Sequence, residues 1–174
     1  MNLDLRSDVM RAEDENTLYL GKNLVFDGTN FVDTGFAPFS SENANVDFMI
    51  SIRLSSFTND AAQAVILGCK YEGTLSGQSY PGIYIRRRNS DNNLEFGGYN
   101  YAYLSTNNLL NQNLYIWRKS GSWKYKVGNG SAGNLSVRVA TFNQNIVLGA
   151  GVQTNGTKFR YSKCKIDYIR IELI

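Results

Sequence analysis

The sequence predicts an all-β fold, an antiparallel two-sheet sandwich of the jelly-roll kind. Three observations lead there. Runs of alternating apolar and polar residues recur along most of the chain. Short turns rich in Gly and Asn separate them. No stretch sustains a helical period, and only two Pro occur in 174 residues.

Taken in order, residues 1–21 stand apart: they are acidic, poor in aromatics, and contain a short helical stretch predicted from Ser7 with Ser as its N-cap. They read as an N-terminal arm or linker, and residues 22–174 as the domain. In Asp47–Leu54, Phe48, Ile50, Ile52 and Leu54 alternate with Met49, Ser51 and Arg53, the period of a half-buried strand. Gly82–Arg88 repeats the pattern, with Ile83 and Ile85 set against Tyr84, Arg86 and Arg88. Asn89–Asn93 then reads as a turn into Leu94–Gly97. Leu114–Lys119 and Trp123–Val127 flank Ser120-Gly121-Ser122, a hairpin signal, and Asn129-Gly130 marks the next turn, since both residues tolerate positive φ. Asn134–Ala140, Asn145–Ala150 and Lys165–Leu173 complete the predicted strands. Trp117, Trp123 and Tyr125 are read as core, packed between two sheets.

Charge is distributed unevenly. Residues 1–20 carry five acids and two bases, residues 21–96 eight acids and six bases, and residues 97–174 ten bases against Asp167 and Glu172. The basic C-terminal half is either a solvated face or a field that attracts an anionic partner. Nucleic acid is not expected, because no nucleic-acid motif accompanies the charge. No apolar run reaches the ~18 residues of a membrane span, so no membrane insertion is expected. The chain has no His, which removes His-dependent triads, His-ligated metals and imidazole proton shuttles. Cys69 and Cys164 lack zinc-site spacing and read as buried free thiols, a single bridge between them being the alternative. Three Asn-x-Ser/Thr matches, at Asn129, Asn134 and Asn155, are expected by chance in a chain with twenty Asn.

The segment Asn23-Leu24-Val25-Phe26-Asp27-Gly28-Thr29-Asn30-Phe31-Val32-Asp33-Thr34-Gly35 resembles the opening of laminin-G-like, concanavalin A-like jelly-roll domains: a strand, an Asp-Gly turn, and a second strand ending in a small polar-Gly step. Asp47–Leu54, Ala64–Cys69 and Gly82–Ile85 resemble that family's next strands. Tyr115–Lys119 and Trp123–Asn129 resemble its hairpin, and Ile146–Gly149 and Lys165–Leu173 its last two strands. The resemblance covers residues 23 to 174. Such modules, when rich in Asn and Tyr and without disulfides, occur in bacteriophage tail, fibre and surface proteins. The resemblance therefore implies a virion-surface location, host attachment through a cell-surface glycan, other virion subunits as partners, and a homo-oligomer. The alternative it leaves is a structural decoration or assembly domain with no glycan ligand.

The residues themselves bear on chemistry. Glycoside hydrolysis needs two carboxylates flanking the scissile bond. Concanavalin A-like glucanases place Glu-x-Asp-x-x-Glu on one strand, whereas here Glu42, Asp47 and Glu95 are scattered, so no enzyme and no catalytic residue is expected. No cofactor or metal site is expected; for Ca²⁺ the candidate ligands would be Asp27 and Asp33 with Asp60, Asp91 or Asn92, which read in preference as turn formers. The candidate glycan site is the face shared by Tyr84, Arg86 and Arg88 with Tyr99, Tyr101 and Tyr103, opposite the core-facing Ile83, Ile85, Leu94 and Phe96. Tyr rings stack on apolar sugar faces, and Arg recognises a carboxylate or phosphate bidentately, so the ligand chemistry includes an anionic glycan. The competing reading is a strip of strand-forming aromatics at an oligomer interface.

Overall fold

The computed structural model describes residues 15–58, 63–87, 94–97, 102–104 (backbone only), 109–153 and 155–174. The predicted helix from Ser7 and the turn Asn89–Asn93 lie outside them. The strands are β1 (Thr17–Asp27), β2 (Val32–Asp33), β3 (Phe48–Thr58), β4 (Val65–Lys70), β5 (Thr74–Leu75), β6 (Gln78–Ser79), β7 (Gly82–Arg87) and β8 (Leu94–Gly97). They continue with β9 (Ala102–Leu104), β10 (Asn113–Lys119), β11 (Ser122–Val127), β12 (Gly133–Asn134), β13 (Val147–Leu148), β14 (Gly151–Val152), β15 (Lys158–Phe159) and β16 (Lys163–Leu173). Sheet 1 has the order β1-β16-β3-β10-β11-β12 and sheet 2 the order β2-β13-β4-β7-β8-β9; β5–β6 and β14–β15 are small ribbons. The fold is an all-β sandwich, as the alternation predicts.

Parity decides which side chains meet between the sheets. Phe48, Ile50, Ile52 and Leu54 of β3 and Ile83, Ile85, Leu94 and Phe96 of β7 and β8 are all at most 1 % exposed. They belong to one core. Phe96 meets Tyr125 edge-on at 4.8 Å between ring centroids, joining β8 of one sheet to β11 of the other. At one end Phe39 stacks between Trp123, at 5.6 Å, and Phe142, at 5.0 Å. Burying each such ring removes roughly 150–250 Å² from water, which makes this stack a large part of the core's stabilisation.

Arg118 is buried in the same layer, 3 % exposed. Its parity with Leu114 and Ile116 sends it inward, and its guanidinium donates to the carbonyls of Val46, Asn43 and Pro38. Those bonds tie the loop before β3 to β10. Trp117, one residue earlier, therefore faces outward. It is half-buried and is not part of the core, which corrects the reading that placed it there beside Trp123 and Tyr125.

One further reading changes. Asn134–Ala140 is not a strand beyond Asn134: after β12 the chain crosses between sheets, with the Leu135 amide donating to Trp123 and the Gly82 amide to Arg138. The expected arm boundary at residue 21 falls inside β1, whose Thr17–Gly21 portion pairs with β16. β16 holds a bulge between Ile166 and Tyr168. Asp167 is the extra residue, accepting from the Ser55 hydroxyl at 2.6 Å. The bulge resets parity, so that Ile166 and Ile169 both face the core. Ser120 and Gly121, at φ +48° and +76°, form the two-residue turn between β10 and β11, a turn that demands positive φ at both positions. Cys69 and Cys164 are free and buried; burial pushes the Cys164 thiol up to about 11. Asp27 and Asp33 act in turns, accepting from Thr29 and from Gly35 and Asn145 respectively. Among the described residues no cluster of three or more His, Cys, Asp or Glu is placed to hold a metal ion.

Candidate functional site

The outer face of sheet 2 is built by register. β4 pairs β7 with Gly68 opposite Tyr84 and Val65 opposite Arg86; β7 pairs β8 with Tyr84 opposite Gly97 and Arg86 opposite Glu95. Tyr84 thus lies in a row between two glycines, and Arg86 lies in the next row between Val65 and Glu95. Lys70, two residues beyond Gly68, shares that face.

Gly68 is needed here for space. A Cβ on it would stand 3.1 Å from Val65 and 3.2 Å from the Ala150 carbonyl. Without one, the β14–β15 ribbon lies against β4, and the Val65 amide donates to the Arg160 carbonyl at 2.8 Å. The ribbon brings Val147, Ala150, Val152 and Tyr161 into a small second apolar cluster and carries Arg160 to the same face.

The side chains then interlock. Arg86 is ion-paired with Glu95 through its Nε. The Arg86 guanidinium lies 4.4 Å and the Lys70 ammonium 4.7 Å from the centre of the Tyr84 ring, two cation–π contacts on one aromatic. Lys70 also lies 4.9 Å from the centre of the Tyr80 ring, which is 51 % exposed. Glu72 is shared, 3.8 Å from Lys70 and 3.9 Å from Arg160. Burial, with Arg86 and Arg160 nearby, holds the Lys70 ammonium down to about 8 despite the opposing pull of Glu72 and Glu95. Among the described residues, Lys70, Arg86 and Arg160 share this cluster with Glu72 and Glu95. The depression between them holds about 10 Å³, near the room one water needs.

Of the residues singled out from sequence, Tyr84 and Arg86 are side by side on this face. Tyr84 is only 2 % exposed, so its ring supports Lys70 and Arg86 and is covered, in place of the open stacking surface expected of it. Arg88, Tyr99 and Tyr101 lie outside the described residues, and for Tyr103 the backbone is described: it pairs opposite Glu95. Sequence reasoning missed Lys70, Glu72, Tyr80 and Arg160. Lys70 was recoverable by extending the parity of Gly68; the other three come from loops and a ribbon whose placement no local pattern encodes. The scattered carboxylates are engaged elsewhere, Asp47 accepting the Ser120 amide at 2.8 Å and Glu95 held by Arg86, while Glu42 is exposed.

No family model matches the chain, and no curated protein matches it in sequence. Solved structures do match. The NanB sialidase of Streptococcus pneumoniae, as its K499G mutant, is 13 % identical with a TM-score of 0.55 over 91 % of this chain and 27 % of that one. The chain therefore spans about a quarter of the sialidase. The Ruminococcus gnavus IT-sialidase CBM40 bound to α2,3-sialyllactose is 12 % identical with a TM-score of 0.55, over 90 % of this chain and 91 % of that one. The same module bound to α2,6-sialyllactose gives a TM-score of 0.50. At such identities the likeness is one of fold: this chain is a two-sheet β-sandwich of the architecture found in these carbohydrate-binding modules.

Proposed function

We propose that the domain is a non-catalytic glycan-binding module that holds an acidic sugar on the outer face of sheet 2. The observation that carries this reading is Lys70, caught between the buried ring of Tyr84 and the exposed ring of Tyr80, with Arg86 and Arg160 beside it. A carboxylate or phosphate on the ligand would pair with Lys70 and Arg160, and the Tyr80 ring would stack on the adjoining sugar. A module of the same architecture has been solved with sialyllactose, an acidic glycan, bound to it, which is compatible support. The sequence also assigns Arg88, Tyr99, Tyr101 and Tyr103 to this site, and they are proposed with it. The placement on a virion surface, with host attachment as its purpose, rests on the family resemblance of the strands alone and is proposed with it.

The test is a glycan array with acidic and neutral members, followed by calorimetry on Tyr80→Ala, Lys70→Ala and Arg160→Ala. Acidic glycans should bind in preference to their neutral counterparts. Each substitution should weaken binding about tenfold, the equivalent of about 1.4 kcal/mol. Undiminished binding in all three variants, or no binding to any acidic glycan, overturns the proposal.

A further inference from the structure

The opposite face of the sandwich carries a second arrangement of charge and rings. On sheet 1, alternation turns Tyr115 and Trp117 of β10 outward, with Arg53 of β3, Lys124 and Lys126 of β11, and Tyr168 of β16. Register then sets a cation beside every ring. Trp117 is opposite Lys124 and Tyr115 opposite Lys126, while Tyr168 lies between Arg53 on one side and Lys22 of β1 on the other. Between the two halves stand Ser51 and Met49, opposite Tyr115 and Trp117, side chains too small or too pliant to break the surface.

The acids on this face are already engaged. Asp167 takes Ser55 and Lys165, the latter at 3.6 Å, and Glu172 takes Arg170 at 2.7 Å. Lys22, Arg53, Lys124 and Lys126 have no ion-pair partner among the described residues. Strands are spaced about 4.8 Å apart, so the ring–cation pairs from β11 to β1 span roughly 19 Å. The pairs lie in three successive rows, so they form a diagonal band of positive charge interleaved with aromatics.

We propose that this face of sheet 1 is a binding surface for a linear polyanionic glycan, separate from the sheet 2 site and not dependent on it. The polymer's carboxylates or sulfates would pair with Lys124, Lys126, Arg53 and Lys22, and its sugar rings would lie over Trp117, Tyr115 and Tyr168. A second copy of the chain is a poor occupant, because the face would meet its own cations. A single-stranded nucleic acid is disfavoured because the rings are half-buried. Half-buried rings can take the CH face of a sugar but leave no slot into which a base would insert.

The experiment uses the whole chain on heparin-agarose, with binding to heparin fragments measured by calorimetry at about 50 mM salt, where screening is weak. The comparison set is the Lys124→Ala/Lys126→Ala double variant, Trp117→Ala, Trp117→Phe, Lys70→Ala, and single-stranded DNA of matched length as a competing ligand. Wild type should bind and elute at higher salt than the double variant, whose affinity should fall about tenfold or more. Trp117→Ala should weaken binding, Trp117→Phe should restore most of it, and the double variant should lose as much affinity in a Lys70→Ala background as in the wild type, because the two faces bind independently. Circular dichroism on each variant keeps loss of fold separate from loss of contact. Absence of heparin binding, retention unchanged in the folded double variant, a loss in the double variant that disappears in the Lys70→Ala background, or tighter binding of the DNA would each overturn the proposal. The sheet 2 reading survives the first two of these results, so the failures of the two proposals are distinguishable.

Discussion

Replacing Lys70 by Met should make the protein more stable at neutral pH, and the gain should disappear in alkali. Lys70 is buried against Tyr84, and its ammonium is held down from an ordinary 10.5 to about 8, first by burial and then by Arg86 and Arg160. In the unfolded chain the same amine titrates near 10.4. Between about pH 8 and 10.5 the unfolded state therefore holds a proton that the folded state has released, and stability from this group rises with pH. The sign is that of a depressed pKa: the contribution is complete above 10.5 and is lost as pH falls through 8. At about 1.4 kcal/mol for each tenfold step in proton affinity, the whole effect is roughly 3 kcal/mol. Met fills similar volume and carries no charge, so the variant escapes this cost at pH 7 while forfeiting roughly 0.5–2 kcal/mol of cation–π attraction. The expected net gain at pH 7 is about 1–3 kcal/mol. Urea unfolding of both proteins from pH 7 to 10.5 checks it. The buried Tyr19 phenol and Cys164 thiol, both pushed upward, add a pH dependence of their own that is common to both proteins and cancels in the difference. A stability difference that stays flat across that range, or grows with pH, refutes the reasoning.

Arg118→Ala should cost about 3–5 kcal/mol, because it strands the Val46, Asn43 and Pro38 carbonyls in a buried setting; equilibrium urea unfolding measures it. Trp123→Ala should cost about 3–5 kcal/mol through the cavity it leaves, whereas Trp117→Ala, on the outer face, should cost under about 1.5 kcal/mol; thermal and urea unfolding of the pair checks the inversion.

Legibility in the sequence followed periodicity. Ile83 and Ile85 against Tyr84 and Arg86 fixed both the strand and its facing, and Leu94 with Phe96 fixed its neighbour, because a period of two leaves little choice once one face is buried. The same rule applied strictly to β10 would have set Arg118 inside and Trp117 outside, since both follow from Leu114 and Ile116. Residue type overrode parity in the reading, and parity won in the fold: backbone carbonyls of the loop before β3 satisfy the buried guanidinium. Asn134–Ala140 alternates like a strand yet crosses between sheets, because pairing partners are chosen by topology. The candidate site was half legible for a related reason. Tyr84 and Arg86 lie on one strand, but Lys70, Glu72, Tyr80 and Arg160 converge from separate segments, and only register plus a side-chain-free Gly68 brings them together.

The pairing of Thr17 with Glu172 has a mechanical meaning. The first and last long strands run antiparallel at one edge of sheet 1, so chain on either side of the module departs from the same corner. Tension applied between those two departures would peel β1 from β16 one hydrogen-bonded pair at a time, the weak geometry for a sheet. Tension applied between one departure and a ligand held on sheet 2 would instead pass through the packed core between the sheets. A tether at a single end is thus the arrangement in which this sandwich resists pulling best.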